Sequence, residues 1–281
     1  MAPAGAGWRD DCAGTLLLNS ARLDDFVFIS RYQPMSCKRF AFIFMSAVIW
    51  AGAAHAQVLD PALAPGQNFD LSAYRLQTLD ARLQFKEISP VGMYQDPFFS
   101  TDPATGEMTF RVPSGAGHSR DSEFPRVELR ENDSWTMQPS GGPRHIESFV
   151  LRVLAEPSTG ELIFAQIHGE KTGGSEALKM RWSHGDILMG VKKRYGVNEE
   201  KILLLRGVSL GDTIECQLAF ENDTLAVHIR SGAAEMTRRF RYAIDSWKGI
   251  PLYFKVGNYS GDKDSDGSFG RVAIQRLALT R

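Results

Sequence analysis

The chain has 281 residues, of which 43% are hydrophobic, and its 32 Lys and Arg against 33 Asp and Glu give a formal net charge of −1 at pH 7. This balance is typical of a globular protein and excludes a disordered or fibrous one. It also gives no electrostatic reason to expect a nucleic acid partner, because phosphate backbones are bound by a basic excess or a basic stripe.

The N-terminal part carries the features of a secretory signal. Residues 40–54 form an apolar run that is shorter than the roughly 20 residues a membrane span needs. Two basic residues precede the run, and an Ala-His-Ala sequence ending at Ala56 follows it, as a signal peptidase requires. We therefore expect residues 1–56 to consist of an N-terminal extension and a signal peptide. Translation is expected to start at Met35, and the signal peptide to be cleaved after Ala56. A membrane anchor is the alternative.

Cleavage at that point predicts a secreted or periplasmic protein of residues 57–281, which no longer contacts the membrane. Cys216 is the only cysteine in this stretch, so no internal disulfide is expected and the core alone must stabilise the fold. No Gly/Ser-rich or Pro-rich linker divides the stretch, which predicts a single domain. We expect a monomer.

Short alternating or β-branched runs recur along this stretch, separated by turn signals rich in Gly, Asn and Asp. They predict strands at Ser148–Ala155, Leu162–His168, Ile202–Leu205, Thr213–Phe220, Thr224–Arg230, Met236–Tyr242, Pro251–Tyr259 and Arg271–Leu279. This spacing predicts an all-β fold, an antiparallel β-sandwich or jelly roll, and the missing strand–helix alternation argues against a doubly wound α/β fold. Only residues 243–247 suggest a helical turn.

Three segments combine an apolar face with a face of ionisable and amide side chains. Residues two apart in a strand share a face. The segment at 126–130 therefore has both arginines and its glutamate on one face, and the segment at 163–168 has Gln166 and His168 there, together with Phe164. In residues 252–259, the two tyrosines and the lysine share a face in the same way.

Such faces are compatible with an amphipathic sheet whose outer side is solvated. A solvated face is usually built from Lys, Glu, Thr and Ser, however, whereas faces that offer Arg, Gln, His and Tyr suit a polar ligand. Three of them predict a polar substrate groove on one sheet.

The same segments resemble the three signature sequences of the alginate lyases of polysaccharide lyase family 7, R-x-E-L-R, Q-[IV]-H and Y-F-K-x-G-x-Y. They stand here in that order at Arg126–Arg130, Gln166–His168 and Tyr253–Tyr259, and Gln67–Ser72 resembles the family's first strand. The resemblance covers almost all of residues 57–281. It departs after Tyr259, where many members continue with Asn-Gln and this chain continues with Ser-Gly-Asp.

The resemblance implies β-elimination on alginate, a 1,4-linked uronate polymer, with no obligatory cofactor. A proton leaves C5, the C4–O bond breaks, and the product carries a 4,5-unsaturated ring. The resemblance assigns neutralisation of the substrate carboxylate to Arg126 and Gln166. His168 suits the base, because an ordinary pKa near 6.5 leaves it largely neutral at pH 7, and Tyr259 suits the acid.

A syn-oriented C5 proton would require Tyr259 to act as both base and acid. Its ordinary pKa near 10 would then have to be lowered by neighbouring cations such as Arg126 or Lys255. The middle residue of Q-[IV]-H is a family marker, and isoleucine, here Ile167, goes with guluronate-containing blocks.

Four further residues are expected to bind substrate or support the site. Glu128 is expected to orient Arg126 and Arg130 by ion pairing. Arg130 and Lys255 are expected to hold polymer carboxylates in neighbouring subsites, and Lys179 to reach the substrate.

Two other function classes stay open at this point. A glycoside hydrolase needs two carboxyl groups about 5 to 10 Å apart, and no strand pattern supplies such a pair; the arginines on both sides of Glu128 would also lower its pKa. A non-catalytic carbohydrate-binding module would show stacking aromatic residues without a base and an acid.

No metal site is expected. The histidines are not spaced as ligands, and Asp262–Gly267 matches only the first half of an EF-hand loop, whose twelfth position is Ala273 instead of glutamate.

Overall fold

The structure, a computed structural model, describes residues 58–171 and 173–281. The predicted extension, its start at Met35 and the signal peptide in residues 1–56 lie outside the described residues. Among the described residues, no helix is long and apolar enough to cross a membrane.

The described residues form fifteen strands and two one-turn helices, numbered here in chain order. The strands are β1 (Tyr74–Leu79), β2 (Phe85–Ile88), β3 (Phe99–Thr101), β4 (Met108–Pro113), β5 (Arg126–Glu131), β6 (Arg144–Ala155), β7 (Glu161–Gly169), β8 (Glu176–Ser183), β9 (Asp186–Val191), β10 (Glu200–Leu205), β11 (Ile214–Glu221), β12 (Thr224–Ser231), β13 (Ala234–Arg241), β14 (Leu252–Ser260) and β15 (Phe269–Thr280). The helices are α1 (Pro65–Asn68) and α2 (Ile244–Trp247).

The strands build two sheets of eight and seven strands. The first has the order β10-β9-β8-β7-β14-β5-β1-β2, and the second the order β13-β12-β11-β6-β15-β4-β3. The pairings are antiparallel throughout. The predicted antiparallel β-sandwich of the jelly-roll type is confirmed.

The core lies between the two sheets and is built from alternate residues of each strand. Phe164 of the first sheet packs edge-on against Phe149 of the second, with ring centroids 6.3 Å apart. Ile167 and Phe254 are fully buried in the same core, which also contains Cys216. Each such side chain contributes about 1.5 to 3 kcal/mol by leaving water.

The segment that resembles the family's first strand is not a strand here. Pro65 starts the one-turn helix α1, and the Gln67 side chain accepts a hydrogen bond from the Ala64 backbone N–H at 3.1 Å. Proline suits the first helical position because it has no N–H to leave unpaired. The first strand begins later, at Tyr74.

A β-bulge corrects the predicted face of Phe164. The pairing of β7 with β8 shifts between Ile163 and Ala165, so Phe164 is an extra residue that turns into the core. Ile163, predicted to face the core, lies half-buried opposite Tyr259 on β14 instead. The strict two-residue period fails here because a bulge inserts one residue.

Candidate active site

Three neighbouring strands in the middle of the first sheet, β7, β14 and β5, carry the three polar segments. On β14, Tyr253 lies opposite His168 of β7, and Tyr259 lies opposite Arg126 of β5. Lys255 stands between them, with Gln166 on one side and β5 on the other. The predicted polar faces therefore form one surface on one sheet.

Glu128 is the centre of this surface. It is fully buried, and its two oxygens accept hydrogen bonds from Gln166 Nε2 at 2.6 Å, from Lys255 Nζ at 2.5 Å and from Arg126 Nη1 at 3.3 Å. Burial acts to raise the pKa of Glu128, but Lys255 and Arg126 outweigh burial and lower it. The carboxylate therefore stays ionised and cannot act as the acid of a glycoside hydrolase.

Lys255 is buried beneath this polar surface. The residue is 1% exposed, and its ammonium is bound to Glu128. Burial and the charge of Arg126 lower its pKa to about 7. In the structure, Lys255 supports the site through its contact with Glu128. To hold a polymer carboxylate, as predicted from the sequence, its ammonium would have to leave Glu128.

The predicted ion pair between Glu128 and Arg130 is wrong. Arg130 Nη2 lies 3.4 Å from Glu170 Oε1, and its guanidinium lies over the ring of Tyr253 at 4.0 Å from the centroid. Lys255, from the neighbouring strand β14, pairs with Glu128 together with Arg126.

Tyr259 is half-buried against Arg126 and Phe124. The Arg126 guanidinium lies over its ring, with Cζ 4.1 Å from the centroid, and Phe124 packs edge-on at 6.2 Å. Burial raises the pKa of Tyr259, and this effect exceeds the lowering by Arg126. The lowered pKa considered for a basic role is therefore not found, and the phenol keeps its proton at neutral pH.

His168 is held in one tautomer. Its Nδ1 lies 2.7 Å from the Gly169 carbonyl oxygen and 3.1 Å from the Tyr253 hydroxyl, whose ring stacks on the imidazole. A carbonyl oxygen only accepts, so Nδ1 carries the proton and Nε2 is left with a free lone pair. Burial and Lys255 lower the pKa of His168 to about 4, so the ring is neutral at neutral pH.

Lys179 lies opposite Gln166 on β8, beside the same surface. Its ammonium is 3.2 Å from Glu176 Oε1, and its side chain is partly exposed. Its contact with substrate stays a prediction, as does that of Arg130. Glu176 was not singled out from the sequence, because β8 itself was not predicted as a strand.

The described residues contain no group of three or more His, Cys, Asp or Glu side chains arranged to hold a metal ion. The EF-hand-like segment is instead a turn built around Asp262. Its carboxylate accepts hydrogen bonds from the Ser158 hydroxyl at 2.7 Å and from the Asp264 backbone N–H at 2.9 Å.

Comparisons with known proteins agree with this geometry. A sequence profile described as alginate lyase matches residues 69–281. Comparison with the curated proteins found no match.

Among solved structures, the chain is similar to alginate lyase A1-II′, a member of polysaccharide lyase family 7. The two are 29% identical with a TM-score of 0.67, over 77% of this chain and 98% of that one. An A1-II′ variant with two introduced cysteines is 30% identical with a TM-score of 0.69, over 79% and 100%. The alginate lyase from Klebsiella pneumoniae, 21% identical over 78% and 98%, shares the fold with a TM-score of 0.68.

A further variant of A1-II′, carrying His→Asn and Tyr→Phe substitutions, was solved in complex with substrate (GGMG). It is 29% identical to this chain with a TM-score of 0.68, over 78% of this chain and 97% of that one. The match of the family profile over most of the chain, together with the sheet and its buried Arg–Glu–Gln group, decides between the function classes left open above. The chain belongs to the alginate lyases of polysaccharide lyase family 7.

Proposed function

We propose that this lyase cleaves guluronate-containing alginate in the groove of its first sheet, with His168 as the base and Tyr259 as the acid. The observation that carries this proposal is the pair of protonation states. A neutral imidazole and a protonated phenol lie on the same face as Arg126, on adjacent strands. A base must lack a proton and an acid must hold one.

The first requirement of the reaction is to neutralise the substrate carboxylate, because a C–H beside an ionised carboxylate is a very weak acid. Arg126 uses Nη1 for Glu128 and has further N–H groups, its Nε lacking a partner among the described residues. Gln166 uses one amide N–H for Glu128 and keeps a second. Fixed donors of this kind stabilise developing charge by several kcal/mol.

The proton transfers then follow from the two protonation states. His168 Nε2 takes the C5 proton, and the electron pair of that C–H bond forms the C4=C5 double bond. The C4–O bond breaks, and the Tyr259 hydroxyl gives its proton to the leaving oxygen. Both residues return to their resting states by exchanging protons with water.

The preference for guluronate rests on two supports. Ile167, the family marker for guluronate-containing blocks, is fully buried behind Gln166 and His168, so its effect is to place those two side chains. Variants of A1-II′ were solved with a GGG product and with a GGMG substrate, at 28% and 29% identity to this chain.

We further propose that the enzyme is exported, since residues 1–56 have the basic, apolar and small-residue features of a signal peptide. N-terminal sequencing of the exported protein should begin at Gln57. A first residue within the apolar run, or a protein retained on the membrane, would contradict this proposal.

The activity is tested by ultraviolet absorbance when the enzyme meets guluronate-rich, mannuronate-rich and mixed alginate. Elimination creates a conjugated C=C that absorbs, whereas hydrolysis and binding do not. We expect the fastest rise on guluronate-containing polymers, with unsaturated oligomers among the products. A flat trace on all three would contradict elimination, and a faster rise on pure mannuronate would contradict the preference.

A further inference from the structure

Glu176 on β8 is paired with His168 of β7, next to a register shift that inserts one extra residue, Ala177, into β8. The Glu176 carboxylate acts to raise the pKa of His168, and His168 acts to lower the pKa of Glu176. Two lysines hold the carboxylate in place: Lys179 Nζ is 3.2 Å from Oε1, and Lys192 Nζ is 3.0 Å from Oε2. Lys192 also donates to the Gly174 carbonyl at 3.0 Å, which fixes it from the other side.

Apart from Glu176, the charged groups around His168 are positive or already paired. Burial, then Lys255, and more weakly Arg126, lower its pKa, and Glu176 is the acidic side chain that acts against them. Burial acts to raise the pKa of Glu176, but the two lysines lower it to about 2, so it is ionised whenever the enzyme works. The other groups on this face are Gln166 on β7, Tyr253 on β14, Glu128 and Arg130 on β5, and Glu170 after β7.

We propose that Glu176 is a positioning residue for the base: it supplies the negative charge that lets His168 accept the C5 proton. The inference rests on the proposed role of His168. When His168 takes the proton it becomes an imidazolium beside a buried ammonium and a guanidinium, and an anion on the opposite strand compensates that charge. Lys179 and Lys192 determine how much of the Glu176 charge reaches the ring.

Glu176→Gln keeps the size of the side chain and removes its charge. We expect kcat on guluronate polymer to fall by about three- to tenfold with KM nearly unchanged, because a weaker base transfers the proton more slowly. The acidic limb of kcat/KM against pH should move to lower pH by about one pH unit. NMR titration of the His168 ring should show the same displacement directly.

Three variants sharpen the test. Glu176→Asp keeps the charge and should retain the position of the acidic limb. Lys192→Gln frees more of the Glu176 charge and should move the limb to higher pH, the opposite direction. Glu215→Gln removes a carboxylate of similar exposure, paired with Arg230 at 2.6 Å on the other sheet, and should change neither kcat nor the limb. Thermal melting confirms that each variant is folded.

The failures of the two proposals are distinguishable. If His168→Ala keeps wild-type activity on guluronate, the base role is wrong and this inference falls with it. If His168→Ala is impaired but the NMR titration of His168 is unmoved in folded Glu176→Gln, the inference alone is overturned. It is also overturned if Glu176→Gln slows the His168→Ala enzyme as much as the wild type, since Glu176 would then act independently of the base.

Discussion

The guanidinium of Arg126 lies over the ring of Tyr259, with Cζ 4.1 Å from the ring centroid, while its Nη1 donates to Glu128. One arginine therefore contacts both Tyr259, the proposed acid, and the buried carboxylate of Glu128. Because a guanidinium does not lose its charge, it can neutralise a substrate carboxylate and fix the acid across the whole working pH range. In the proposed reaction, this contact joins substrate binding to proton donation.

His168→Ala should lower kcat on guluronate blocks by about 10² to 10⁴ with little change in binding, because general base catalysis contributes about that much. Initial rates from ultraviolet absorbance, with binding measured by calorimetry, check both points. Equal losses of turnover and binding would argue for a merely structural histidine.

The pH dependence of kcat/KM should show an acidic limb near pH 4, because the pKa of His168 is lowered to about 4 and the base must be unprotonated. Activity is lost as the pH falls through that value. Tyr259 should add no basic limb below pH 10, since its pKa is raised above the usual 10.0 and the acid must keep its proton. Rate measurements at subsaturating substrate check this, and a limb near the ordinary histidine value would contradict the burial argument.

Lys255→Met should destabilise the protein by about 3 to 5 kcal/mol, because it leaves Glu128 fully buried with its charge poorly compensated. Adding Glu128→Gln in the same chain removes the uncompensated charge and should recover a large part of that loss. Denaturant unfolding of the single and double variants measures both free energies. If the single variant is as stable as the wild type, the ammonium does not support the site.

Glu147→Gln should stabilise the protein at neutral and alkaline pH. Glu147 is fully buried and accepts from the Tyr74 hydroxyl at 3.0 Å; its other oxygen has no partner among the described residues. Burial, and the charges of Glu131 and Glu128, raise its pKa well above 4.5. The contribution of Glu147 to the free energy of unfolding is therefore complete below about pH 4.5. It is lost as the pH rises through the pKa that Glu147 has in the folded protein.

The glutamine variant removes that loss, so its free energy of unfolding should exceed that of the wild type by about 1 to 3 kcal/mol above neutral pH. Near pH 4 the two should be similar. Denaturant unfolding at several pH values checks the difference, and a variant less stable than the wild type at every pH would show that the Glu147 charge is tolerated.

The sequence predicts those parts of the fold that depend on local alternation. The polar faces of β5 and β14 and most strands from β6 onward follow from the two-residue period. The pairing of β7 with β14 does not follow from this period, because the two strands are distant in the chain and are brought together only by the sheet topology. The bulge at Phe164 and the contact of Lys255 with Glu128 were missed for the same reason: both depend on the neighbouring strand.

Glu176 and the short helix α1 show a second limit. The strand that carries Glu176 alternates apolar and polar residues from Leu178 to Ser183, but the period breaks at Ala177 and Leu178, which are both buried. The face on which Glu176 lies is therefore decided by the pairing with β7. At Pro65 the local turn chemistry overrides the likeness of the following residues to a strand. The side chains predicted as acid, base and neutralising groups do lie on one surface, and their roles in the reaction stay predictions.

In the proposed reaction, cleavage of the C4–O bond depends on the proton that the Tyr259 hydroxyl delivers. The most direct test compares single-turnover rates of wild type and Tyr259→Phe on a guluronate oligomer, followed by the absorbance of the unsaturated product, with binding measured on the same oligomer. We expect the turnover of Tyr259→Phe to be lower by about 10² to 10⁴ and its binding to stay within a few-fold of wild type. Wild-type turnover in a folded Tyr259→Phe enzyme would contradict it.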